Sequence, residues 1–157
     1  MGKKRNKESG ESFFLVANLA KKAVEIVMPL IKIALKRGIF KRKCLSICVL
    51  NPKTGEVIYT ENIGENNTKH NFSKIARSKA KISWRAKADT LIVRERRVWS
   101  FEKGETVYQG GVYFRGYTVG VSGVESWYDE MIAYCIAATL HALCRNELEK
   151  EGDIEFL

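Results

Sequence analysis

The segment from Met131 to Leu143 is apolar nearly all the way round a helix, so it has no face to give to water. A helix of that kind must be covered on more than one side, by a sheet and by another subunit. It sits inside a longer helix expected to open at Ser126, as cap, with Asp129 as its box partner three residues on, and to run to about Glu149. The whole chain has 157 residues, about one domain's worth. With 45% hydrophobic and 29% charged residues and only two prolines, it excludes collagen, long disorder and a disulfide-dense mini-scaffold.

Upstream, the polar residues Asn18, Lys22, Glu25, Lys32 and Lys36 recur at helical spacing. They predict a helix over 12–37 with Val16, Leu19, Ala20, Ala23, Val27, Leu30, Ile31 and Ala34 turned inward, Pro29 on the polar stripe and Gly38 as the stop. Cys44 to Leu50 alternates, a turn follows at 51–55, and Glu56 to Thr60 returns as the second arm of a hairpin. Asn71 or Ser73 then caps a second helix to about Lys87. Its apolar stripe is Phe72, Ile75, Ala76, Ile82 and Ala86, its basic stripe Lys74, Arg77, Lys81 and Arg85, and Lys79 falls on the apolar side. A lysine there must snorkel, find a carboxylate or meet a ligand, because an unpaired buried ammonium is costly. Leu91 to Phe101 reads as an edge strand or an excursion. Thr106–Tyr108, Val112–Phe114 and Tyr117–Val121 read as strands, with Arg115-Gly116 as the tight turn between the last two.

Charge is unevenly spread: residues 1–53 carry 13 Lys/Arg against 3 Asp/Glu, and residues 104–157 carry 3 against 9. A basic front and an acidic back suit either polyanion binding or front-to-back docking of two copies. Residues 1–11 read as a disordered basic tail, 12–149 as the folded domain and 150–157 as an acidic tail. Lys21, Lys22, Glu25 and Lys32 interrupt the apolar run from Phe13 to Leu35, and no stretch is long and apolar enough for a membrane span to be expected. Cys44, Cys48, Cys135 and Cys144 form no CxxC and read as reduced thiols of a cytoplasmic protein.

Three local signatures accompany this order of elements: Lys79-Ala80 in the second helix, Gly110-Gly111-Val112 before a strand pair, and Gly120-Val121-Ser122-Gly123 leading to Asp129-Glu130. Together they resemble the GlcG/HbpS-like family, which includes the C-terminal domain of PduO-type proteins, over roughly Phe13 to Cys144. The resemblance implies an α/β (α+β) profilin-like single domain, a central antiparallel sheet flanked by helices, that assembles into dimers or larger oligomers. It also implies a small-molecule or haem ligand, with Lys79, Ser122, Gly123 and Asp129 matching recurring positions. The chain departs from the family at Tyr113, where proline is usual, and in having no histidine in the first helix.

The candidate ligand-binding set is His70, Lys79, Gly110, Gly111, Ser122, Gly123, Asp129 and Glu130. His70 is either a solvated loop histidine or an axial haem ligand. Lys79 either pairs with Asp129 or Glu130 as a structural ion pair or faces a ligand. His141 and Cys144 share a helix face but lack two further ligands for zinc, and packing is the simpler reading. No nucleophile elbow, HExxH or phosphate loop is present, and Ser122 has no assigned histidine, so binding rather than turnover is expected. The rival reading is a nucleic-acid-binding or assembly protein, in which Trp84, Trp99 and Phe101 beside Arg94, Arg96 and Arg97 stack on bases.

Overall fold

The computed structural model describes residues 17–64 and 71–150. The basic tail, Val16, His70 and the residues after 150 lie outside that set. Element order is α1 (Ala17–Lys36), β1 (Leu45–Leu50), β2 (Val57–Ile63), α2 (Phe72–Ala86), α3 (Thr90–Arg96), a 3-10 turn (Val98–Ser100), β3 (Gly111–Phe114), β4 (Tyr117–Ser122) and α4 (Ser126–Lys150).

The strands form one antiparallel sheet of order β2-β1-β4-β3, so the two hairpins join along the β1–β4 seam. Both seam strands are covered on both faces, and strand alternation sorts their side chains between two cores. Leu45, Ile47 and Val49, with Val119 and Val121, pack under α1 and α4. Cys48 and Leu50 point the other way, to Ala76 and Ala80 of α2. The result is three layers, α1 with α4, then the sheet, then α2. The expected sheet flanked by helices is therefore what forms; α4 lies on the sheet and against α1, which leaves Met131, Ala138 and Ala142 exposed.

Local chemistry explains most of the boundaries. Asn71 Oδ1 accepts the Lys74 backbone N–H at the start of α2. Gly38, at φ +68°, ends α1, with the Ile39 N–H reaching back to the Ala34 carbonyl. Arg115 and Gly116 both have positive φ in the β3–β4 turn, as a two-residue hairpin requires.

Several expectations are corrected. Leu91 to Phe101 is not an edge strand: of the two alternatives the excursion is what forms, made of α3 and the 3-10 turn, with Val93 buried. Thr106 to Tyr108 forms no strand. Leu30 is 41% exposed rather than inward, because the buried stripe of α1 runs through Ala23, Val27, Ile31 and Ala34 and leaves Ile26, Leu30 and Ile33 on its flank.

Candidate functional site

The sheet face under α2 is cut away by glycine. A Cβ on Gly120 would sit 2.1 Å from the Ala76 carbonyl oxygen, so only a bare backbone lets α2 lie this close. Gly110 is more constrained: its φ is +129°, and a Cβ there would sit 2.8 Å from Lys79 Nζ and 2.9 Å from Asp129 Cβ. Gly111 lies under the Lys79 carbonyl in the same way, and Gly123 turns the chain from β4 toward α4 against the backbone of Cys44 and Leu45.

Through that opening Lys79 enters the protein. Its residue is 2% exposed, and Nζ donates to Asp129 Oδ2 at 2.9 Å and to the Val121 carbonyl at 2.9 Å. Asp129, equally buried, is held from its own side by the Val124 N–H on Oδ1 at 3.1 Å and by the Gly123 N–H. It thus serves the start of α4 by reaching back to the preceding turn. Burial pushes the Asp129 carboxyl up to about 6, against the opposing pull of Lys79 and of the Val124 and Gly123 N–H groups. Burial likewise pulls the Lys79 ammonium down, against the attraction of Asp129.

An ammonium has three N–H donors. Two are used, and the third has no acceptor among the described residues. Lys79 and Asp129 form the floor of a cavity of about 330 Å³ whose walls are Phe72, Ile75, Ser122, Gly123, Val124 and Ser126, with Arg42 and Tyr108 at the exposed edge. Ser122 is 4% exposed and lines the cavity. The Arg42 guanidinium lies over the Phe72 ring, 5.5 Å from its centroid.

The structure therefore brings Lys79, Ser122, Gly123 and Asp129 together at one cavity and places Gly110 and Gly111 directly beneath it. Glu130 does not join them. It stands beside Asp89 and Glu95, where burial and those two charges raise its carboxyl. One residue further along a helix is about 100° further round, so Asp129 and Glu130 cannot face the same space. His141 is also elsewhere, 3.3 Å from Arg115 and against the rings of Phe114 and Tyr117, in a separate recess with Cys144. Arg42 and Tyr108 were not foreseen as lining.

Among the described residues no helix is long and apolar enough to cross a membrane. No family model matches the chain, and no curated protein matches it in sequence. Solved structures do match in shape. A double mutant of HbpS from Streptomyces reticuli superposes with TM-score 0.60 at 23% identity, covering 89% of this chain and 96% of that one. Protein ORFY of Klebsiella pneumoniae, of family DUF336, gives 0.56 at 16%, covering 90% and 99%. PduOC in complex with haem gives 0.54 at 18%, covering 82% and 93%. Over nearly its whole length the chain thus has the fold of HbpS, of a DUF336 protein and of PduOC.

Proposed function

We propose that this chain is a small-molecule-binding module of the GlcG/HbpS-like family and that its ligand sits on the Lys79–Asp129 floor. The observation that carries this reading is a fully buried ion pair placed at the base of a cavity rather than sealed in the core. Such a pair is costly to bury, and replacing it with apolar side chains is often neutral for stability. A cavity of about 330 Å³ is at the small end of the roughly 300–1,000 Å³ common for ligand sites. Ser122 has no imidazole among the described lining residues to activate it, which favours binding over acyl transfer. The test is a thermal-shift screen of small molecules against the wild type and Ile75→Trp, which fills the cavity. Hits that vanish in Ile75→Trp support the reading; an empty screen removes it.

Haem is the second ligand considered, because the PduOC match is a haem complex. Among the described lining residues, only the Tyr108 phenol is of a type that ligates haem iron, and an imidazole would have to come from His70. Haem supplies redox or gas-binding chemistry when bound. Titration watched by absorbance decides: a Soret shift lost in His70→Ala supports haem, and no shift at micromolar protein removes it.

Self-association belongs to the same proposal. Ile26, Leu30 and Ile33 make an exposed apolar stripe on α1, and Trp127 and Met131 add exposed apolar surface on α4. The nucleic-acid reading retains one favourable observation: Trp99 is 81% exposed beside the exposed Arg94, Arg96 and Arg97. Binding of a single-stranded oligonucleotide that falls steeply with salt and is lost in Trp99→Ala supports it.

A further inference from the structure

The geometry points to a compact carboxylate as the ligand class of the Lys79 cavity, its anionic head on the floor and its body along Phe72 and Ile75. This inference rests on the cavity being a binding site and adds the charge of what enters it.

The donors left over in the cavity carry the argument. Lys79 keeps one N–H without an acceptor among the described residues although the side chain is almost fully buried. Ser122 adds a hydroxyl to the cavity lining, next in sequence to Val121, whose carbonyl already takes Lys79. A buried donor left unmade costs about 1–3 kcal/mol, more when charged, so the third Lys79 N–H is an unfilled demand for an acceptor, with the Ser122 hydroxyl at hand to share it. The start of α4 supplies a third element. The Ser126 and Trp127 N–H groups have no acceptor among the described residues, and the positive end of a 25-residue helix lies behind them.

The charge count has the same sign. Asp129 is the carboxylate lining the cavity, and both of its oxygens are engaged, one by Lys79 and the other by the Val124 N–H. Glu125, just before α4, does not line the cavity; one of its oxygens accepts the Lys41 backbone N–H and the other is buried without a hydrogen-bond partner among the described residues. Among the lining residues Lys79 and Asp129 cancel, and Arg42 is the remaining formal charge. A carboxylate brings up to four acceptor positions in one plane, matching a hydroxyl, an ammonium N–H and a guanidinium that approach from different walls. The apolar wall of Phe72 and Ile75 leaves room for an organic body, which inorganic phosphate lacks.

Benzoate is the probe, with benzamide as its neutral isostere and benzylamine as the cation, measured by titration calorimetry on the full chain. Benzoate is expected to bind at least tenfold more tightly than benzamide. Ser122→Ala and Arg42→Gln are each expected to weaken benzoate by about tenfold, the loss of one charge-assisted hydrogen bond. Neither substitution touches the Lys79–Asp129 pair, so folding is preserved, and an unchanged melting temperature checks that. Equal binding of benzoate and benzamide, abolished by Ile75→Trp, overturns the carboxylate inference and leaves the cavity as a site. Benzoate affinity unchanged in both variants overturns it too. Failure of all three probes overturns the inference and the binding-module reading together.

Discussion

Lys79 and Asp129 stabilise each other only as a pair. Removing the ammonium alone strands a buried carboxylate, so Lys79→Met is expected to cost about 3–5 kcal/mol in urea denaturation. Lys79→Met with Asp129→Leu is expected to recover most of that loss, because neither charge then has to leave water. The pair also sets a pH dependence. Asp129 holds its proton up to about 6 in the folded protein, against 3.8 as its ordinary value. Between those values the folded state carries a proton the unfolded state has released, so this group's contribution to stability falls as pH rises through that window. Comparing urea midpoints of the wild type and the double variant from pH 4 to 7 checks the sign: the gap is expected to move against the wild type. Lys79 was legible in the sequence because a lysine on an apolar helical stripe demands a partner. Its choice of Asp129 over Glu130 was not legible, since that depends on the rotation of α4 about its axis once it packs on the sheet.

Helix α2 and the sheet meet backbone to backbone at Gly120, whose φ lies outside the left-handed region. Gly120→Ala therefore tests close approach alone, and it is expected to destabilise by about 1–3 kcal/mol by overpacking. The far end of α2 is tied to the first hairpin by side chains instead. Trp84 Nε1 donates to the Pro52 carbonyl at 3.1 Å and Lys81 donates to the Gly55 carbonyl, so Lys81 of the basic stripe is partly spent on structure. Long elements were readable because periodicity accumulates over several turns, as in α1, α2 and α4. The segment of α3 was not. Over its seven residues Leu91, Ile92 and Val93 stand together and Arg94, Glu95 and Arg96 follow, too short a run for a helical period to show, and docking of Thr90 and Val93 on the body selects a helix. Thr90 marks that docking by exchanging hydrogen bonds with the Gly111 backbone.

At the scale of the whole molecule, the exposed stripe Ile26, Leu30 and Ile33 predicts association through α1. Ile26→Glu with Ile33→Lys is expected to shift the sedimentation coefficient to that of a single chain without lowering the melting temperature. The strand order also has a kinetic consequence. Each hairpin is local, but the seam sets Ser46 opposite Ser122 and Leu50 opposite Thr118, strands from the two halves of the chain. Hairpins form in roughly microseconds, whereas pairings this distant in sequence first require a large loop to close. The meeting of β1 with β4 is thus the slow event in acquiring the native state. Weakening Val49 or Val119 is expected to retard refolding in stopped-flow experiments, while weakening the Arg115-Gly116 corner mainly hastens unfolding.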